Sequence, residues 1–422
     1  MATSDRFDLA VEGLIEVGAP GAAIAVLRNG EFIHRKAYGL ADLEWGAALR
    51  PDCSFRIASL SKQFAATAIM RLAEQGALSI DDRLETHLPA FDPRGRIVTL
   101  RHLLNHTSGI RNHDRGQERR ADRVSISREN LITEILAAPF DFEPGEQYLY
   151  CNSGYMLLGA VIEAVSGQDF ETFLKVAFFE PLGMMRTSLC LADAIIPLRA
   201  RGYVRGRSGY HNARPDPTNW SHAAGGLCST LDDLAIWDRA LRDGRAIGRD
   251  SFEQMIEPTP LADGTLYPYG FGWGTATYQS RRLHHHTGGT IGFACQMARL
   301  TDEALTTIVL SNVYLFPFDR VTRALLRVAM DLPPVVAEGR PATADDFAPC
   351  AGRYRDDRGA EIVIGAEPAD PARYTALGEG RFRETMDPEV ELRFSDRREG
   401  RYHALQTLSP LWPAQSFVRH GP

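Results

Sequence analysis

Hydrophobic and polar positions change period several times along this 422-residue chain. Residues 22–39, AAIAVLRNGEFIHRKAYG, read as two strands folded back at Asn29-Gly30, a dipeptide suited to the left-handed conformations of a tight hairpin. From residue 60 the period lengthens. Ala65, Ile69 and Leu72 fall on one stripe at helical spacing and Gly76 supplies a stop, so a helix is predicted over 60–75. Helical patterns recur in 99–110, 129–139 and 229–244. After FEPGEQYLYCN, Ser153 is expected to cap a helix closing near Gly167. From about 269 strand patterns return as YGFGWGTATY, RRLHHHTGGTIGFACQMARL and ALTTIVLSNV, and VTRALLRVAMDL then reads as a helix.

Strands, then helices, then strands again are satisfied by one sheet built from both ends of the segment, with a helical block inserted between them. The fold class expected is therefore α/β, an antiparallel sheet with helices packed on it. A proline-rich stretch, DLPPVVAEGRPATADD, follows at 331–346, and beyond it short strand patterns such as AEIVI, VELRFS and RYHALQ suggest an all-β module. The boundaries expected are 1–333 for a catalytic domain, 334–346 for a linker and 347–422 for a small β-barrel-like domain.

Composition narrows the function classes. A net charge of -7 gives no general basis for nucleic-acid binding, and the densest basic stretch, 111–123, is interleaved with acids and reads as a solvated loop. No segment approaches the roughly 18 uninterrupted apolar residues of a membrane span. The six cysteines are scattered without a CxxC pair, and the first residues lack a secretory pattern. Reduced thiols and a cytoplasmic location are the expectation, or a periplasmic one if a leader was trimmed.

Only three of the 47 basic residues are lysines: Lys36, Lys62 and Lys175. Lys62 follows Ser59 by one helical turn at the head of an apolar run, FRIASLSKQFAATAIM. A serine hydroxyl needs a base within hydrogen-bond reach, and arginine cannot give up its proton. Desolvation and the positive field of a helix start both favour the neutral amine that such a base requires. The bland alternative is a helix cap followed by a solvated lysine.

Two further places supply context. In LYCNSGY, an extended segment would turn Tyr150 and Asn152 the same way and Cys151 the other. The phenol could relay a proton, and the amide could orient both the lysine and a substrate carbonyl. In HHHTGGTIGF, His286 precedes Gly288 and Gly289, glycines that let a substrate approach a strand edge. The Gly289 N–H could then join that of Ser59 as an oxyanion hole.

Ser59-x-x-Lys62, Tyr150-x-Asn152 and His286-x-Gly288, in this order, resemble the penicillin-recognising serine hydrolases. That superfamily spans serine β-lactamases, D-Ala-D-Ala carboxypeptidases, D-aminopeptidases, D-amino-acid amidases and related esterases. RHLLNHTSGI, AAGGLCSTLDDLAIW and YGFGWG are similar to segments common in it, and the likeness covers about 20–330. It implies a β-lactamase/transpeptidase-like sandwich with the site between sheet and helical block. It also implies acyl-enzyme chemistry on Ser59, proton handling by Lys62 and Tyr150, and no metal or other cofactor. The implied partner is a small-molecule or short peptide substrate, without nucleic acid or membrane, and a homodimer is compatible with the sequence.

His286 stands where many relatives place a lysine that holds a substrate carboxylate, which favours substrates with a free amine or neutral esters and amides. Tyr-Cys-Asn resembles the D-aminopeptidase branch. The best-known members of that branch carry two further β-barrel domains, whereas this chain has room for one. The ranking is a D-aminopeptidase or D-amino-acid amidase, then a short-chain esterase, then a β-lactamase, with an inactive binding or scaffold relative as the reading of another class. A zinc site on His284 and His286 lacks further evident ligands. His102 and His106, four apart, read as polar helix-end histidines. Trp220 and Trp273 are expected in core packing or along a substrate pocket.

Overall fold

In the computed structural model the residues described are 3–113, 127–214, 221–335, 339–356, 361–365, 374–385 and 387–420. The basic stretch expected as a solvated loop falls largely outside them, as does Trp220. Two compact units emerge, one of residues 1–275 and 282–329, the other of 276–281 and 330–422.

The first unit is organised by a six-stranded sheet. The strands of that sheet are β1 (Ala22–Arg28), β2 (Glu31–Tyr38), β3 (Gly274–Tyr278), β4 (Arg281–Thr290), β5 (Phe293–Leu300) and β6 (Leu305–Ser311), in the spatial order β3-β4-β5-β6-β1-β2, with the β3–β4 turn region 276–281 grouped in the second unit. β1 closes against β6 antiparallel, with Ala22 opposite Ser311 and Arg28 opposite Leu305. The two ends of the segment therefore share one sheet, as the order of patterns required. The β1–β2 turn is the Asn29-Gly30 hairpin, with φ of 53° and 78°.

Side-chain alternation explains why β1 is apolar throughout. Ala23, Ala25 and Leu27 join the large core shared with the helices, whereas Ile24 and Val26 are equally buried on the opposite face. Both faces of this antiparallel sheet are therefore covered. Helix α1 (Thr3–Val11) packs against α5 (Phe318–Ala329), and α5 lies on β5 and β6, burying Val321, Thr322, Leu325, Leu326 and Ala329.

Within the inserted block, α2 (Ser61–Glu74) is buried at every position from Ser61 to Met70. A helix buried all round belongs at the centre of a domain, and this one packs against α3 (Asn152–Ser166). Helix α4 (Leu231–Arg242) begins at Thr230, whose hydroxyl accepts from the Asp233 N–H. Two expectations need correction. Helix α3 starts one residue before Ser153, and Asn112 Oδ1 accepts its leading N–H groups from Asn152 (3.0 Å) and Ser153 (3.3 Å). The helix in 99–110 is shorter than its pattern, ending at Leu104, and His106 lies beyond it at φ 63°.

The second unit is an eight-stranded sheet. Residues Arg340–Pro341, inside the stretch expected as linker, form its edge strand against Tyr374–Gly378. Its core gathers Phe347, Cys350, Tyr354, Phe382, Phe394, Leu405 and Phe417. Among the described residues, no helix is long and apolar enough to cross a membrane.

Candidate active site

Three short elements bring the first pair of residues together. Strand Phe55–Arg56 pairs with Leu227–Ser229, and the Ile57 N–H extends the ladder to the Leu227 carbonyl oxygen (3.0 Å). The chain then turns sharply. Ala58 adopts φ 44°, a conformation costing a non-glycine residue about 1–3 kcal/mol. A single 3₁₀ turn over Ala58–Leu60 leads into α2, so Ser59 sits on the turn and Lys62 in the first turn of the helix.

Lys62 is fully buried. Its Nζ lies 3.0 Å from Ser59 Oγ, 2.7 Å from Asn152 Oδ1 and 2.6 Å from the Ala224 carbonyl oxygen. The Tyr150 ring centroid is 4.7 Å from the same nitrogen. An ammonium without acceptors would cost several kcal/mol at such a place, so these oxygens are what make the position tenable. Two of the three, the amide oxygen and the main-chain carbonyl oxygen, can only accept. The Ser59 hydroxyl alone can either accept or donate. Three acceptors match the three N–H bonds of an ammonium, and because the Ser59 hydroxyl can also donate, the same positions serve a neutral amine that keeps two N–H bonds to carbonyl oxygens and turns its lone pair to the serine proton.

The second wall is the segment before α3. Cys151 is extended (φ -138°, ψ 110°), so Tyr150 and Asn152 both reach Lys62. Cys151 turns away, its Sγ donating to the Ile110 carbonyl oxygen at 3.2 Å. Strand β4 forms the third wall. A Cβ on Gly288 would lie 2.3 Å from the Ile57 carbonyl oxygen, 2.5 Å from Cys295 Sγ and 3.1 Å from the Ser59 nitrogen, so only glycine lets this strand pass beside the nucleophile turn. Gly289, by contrast, faces open space.

His286 is buried with both ring nitrogens engaged, Nε2 at 2.8 Å from the Tyr269 hydroxyl and Nδ1 at 2.6 Å from the Thr287 carbonyl oxygen. Burial first, and the nearby Lys62 charge second, push its pKa down to about 3. At neutral pH it is an uncharged imidazole. His106 is not the polar helix-end residue its spacing suggested. It is buried against Tyr150 (ring centroids 4.3 Å apart), and desolvation pushes its pKa well below the usual histidine value. His102 does sit at a helix start, its Nδ1 accepting from the Thr99 N–H.

Several residues here were not singled out from sequence. Ala224 and Tyr269 lie inside AAGGLC and YGFGWG, segments noted for family likeness without a role for either residue, and His106 was read only as a helix-end histidine. Ala224 contributes only a main-chain oxygen, which no side-chain pattern can signal. Among the other candidates, His284 is held by Thr301 (Nδ1 to Oγ1, 2.8 Å), and Trp273 is a core residue packed edge-on to Phe252.

The beta-lactamase family model matches residues 7–330. The chain is 32% identical over 305 residues to penicillin-binding protein 4* of Bacillus subtilis (strain 168), covering 68% of this chain and 67% of that protein. It is 30% identical over 324 residues to a D-aminopeptidase of Brucella canis, covering 75% of this chain but only 60% of the relative. A solved octameric penicillin-binding protein homologue from Pyrococcus abyssi shares the fold along 99% of this chain and 100% of that one, at a TM-score of 0.72 and 24% identity. A family match that takes in the sheet, the helical block and all three walls around Ser59 leads to one conclusion: the chain belongs to the beta-lactamase/transpeptidase-like family.

Proposed function

We propose that the chain is a serine hydrolase that works through an acyl-enzyme on Ser59 and cleaves amides or short peptides of D-amino acids. The observation that carries the reading is the placement of Lys62 Nζ, buried and bonded to two acceptor-only oxygens while lying 3.0 Å from Ser59 Oγ. In the proposed reaction Lys62 takes the Ser59 proton as Oγ attacks the substrate carbonyl. Tyr150, beside the same nitrogen, passes a proton to the leaving amine. The N–H groups of Ser59 and Gly289 receive the oxyanion, where preorganised donors are worth most. Water, activated by the same Lys62–Tyr150 pair, then releases the acid and restores Ser59.

Substrate class rests on two supports. The D-aminopeptidase relative favours D-amino-acid substrates with a free amine. An uncharged His286, with both nitrogens already engaged, offers no cation to a substrate carboxylate and so disfavours the β-lactamase reading. The same feature favours a second reading, hydrolysis of neutral short-chain esters on the same residues.

The test is hydrolysis of D-alanine p-nitroanilide beside its L-isomer and p-nitrophenyl butyrate, with Ser59→Ala as control. Turnover of the D-anilide over the L-anilide, absent in the variant, supports the amidase. Ester turnover alone moves the assignment to the esterase, and substrate turnover that survives in Ser59→Ala refutes both.

A further inference from the structure

Two histidines and a tyrosine that the catalytic proposal does not use form a continuous polar path behind the site. The Cys151 N–H donates to His106 Nδ1 (3.1 Å), and His106 Nε2 lies 3.3 Å from the Tyr269 hydroxyl. That hydroxyl is 2.8 Å from His286 Nε2, and His286 Nδ1 is 2.6 Å from the Thr287 carbonyl oxygen. All three side chains are buried, so water cannot stand in for a missing partner cheaply.

The two ends of this path fix the protons between them. A carbonyl oxygen has no proton, so at 2.6 Å His286 Nδ1 must carry one. His286 is neutral, so its Nε2 is bare and accepts from the Tyr269 O–H. At the other end a main-chain N–H can only donate, so His106 Nδ1 is bare. His106 Nε2 then carries the proton and gives it to the Tyr269 oxygen. Both ends demand the same direction, and Tyr269 is the one group able to accept from one histidine and donate to the other.

One other acceptor is within reach of the Tyr269 proton, the Tyr155 hydroxyl. Tyr155 gives its own proton to the Leu104 carbonyl oxygen at 2.7 Å, so it could receive one. A proton sent there would leave the Tyr269 oxygen and the bare Nε2 of His286 facing each other, lone pair to lone pair, at 2.8 Å. That arrangement is repulsive, and the short contact excludes it.

We propose that Tyr269 is a positioning residue that bridges His106 and His286, whose tautomers their main-chain partners set, fixes the orientation of His286 and ties the His286–Gly289 strand to the main chain between Tyr150 and Asn152. The second and third walls of the site are then held in register by a directed chain of hydrogen bonds, and the space around Ser59 keeps one geometry through turnover. The proposal rests on the reading of Ser59 as the reacting group only where turnover is measured. The tautomers themselves can be tested without it.

The experiment is ¹⁵N NMR of the histidine rings in the full chain at pH 7, with His106 and His286 assigned by their absence from His106→Gln and His286→Gln spectra. The expected result is a proton on Nδ1 of His286 and on Nε2 of His106. The opposite tautomer at either residue, or a doubly protonated ring, overturns the proposal whether or not the protein is an active hydrolase. Tyr269→Phe supplies the functional arm. It should leave the Nδ1 proton of His286 in place, shift the ¹⁵N resonance of its Nε2, which loses a hydrogen-bond donor, and lower kcat about tenfold, with KM within twofold and with fluorophosphonate labelling of Ser59 retained. A Phe variant with the His286 Nε2 resonance and kcat both unchanged also overturns it.

Discussion

Lys62 Nζ and Asn152 Oδ1 lie 2.7 Å apart although ninety residues separate them in the chain. The bond joins the first turn of α2 to the first turn of α3, and it fixes one N–H of the proposed base. Asn152→Leu removes the acceptor while keeping the volume close. A hydrogen bond to a group that carries charge during turnover is worth about 1.5–3 kcal/mol, so kcat/KM should fall about 10- to 100-fold with the protein still folded by circular dichroism. An unchanged kcat/KM would mean the amide has no part in holding Lys62.

Lys62→Arg keeps positive charge but not the ability to give it up. Proton transfer by a positioned base contributes about 10²–10⁴-fold, so steady-state kcat should fall by at least two orders of magnitude. Guanidine does not fit easily where an ammonium-sized group meets Ala224, so the thermal midpoint should fall as well. Turnover close to the parent's would assign the base elsewhere.

Gly288 and Gly289 are neighbours with opposite surroundings, and substitution should separate them. Gly288→Ala drives a methyl into the Ile57 carbonyl oxygen and Cys295 Sγ, an overpacking that costs about 1–3 kcal/mol and moves the nucleophile turn. Both thermal stability and activity should drop. Gly289→Ala meets nothing within 4 Å, so stability should hold while the added methyl intrudes on the open space beside Ser59 and alters KM. Equal loss of stability in both would contradict the register of β4 against the turn.

Acid should unfold this protein early. His286 and His284 have pKa values depressed by burial to about 3 and about 4, and the ordinary unfolded value is 6.5. Between those limits the unfolded chain binds protons that the folded chain refuses. Stability is therefore fully present above about pH 6.5 and is lost as pH falls through the interval, with up to about 1.4 kcal/mol per pH unit from each group. Thermal midpoints measured from pH 8 to 4 should be level at first and then fall. His284→Gln, away from Ser59, should make the fall shallower, and a parallel curve for that variant would refute the assignment.

Much of the fold could be read from sequence because its signals are local. Asn29-Gly30 sets a hairpin by backbone conformation, Gly76 and Gly167 end helices by theirs, and β1 is apolar on both faces because both are covered. The chemical pair Ser59–Lys62 was legible for the same reason, being one helical turn long. What was not legible depends on tertiary placement. Ala224 acts through a carbonyl oxygen that any residue carries. Asn112 takes the capping role expected of Ser153 because folding brings its amide to that helix end, while the Ser153 hydroxyl receives the His113 N–H instead. His106 and Tyr269 matter only because the fold brings together in the core two residues 163 positions apart in the chain. Arg340–Pro341 joins the second sheet although its composition suits a linker, because pairing with a distant strand overrides local preference.

The central claim is that Ser59 carries the acyl group. It is tested most directly by acid-quenching the protein during turnover of a p-nitrophenyl ester and locating the acyl mass by peptide mapping. One acyl group is expected on the peptide containing Ser59, with none in Ser59→Ala. An acyl group on any other residue, or turnover that continues in Ser59→Ala, would contradict it.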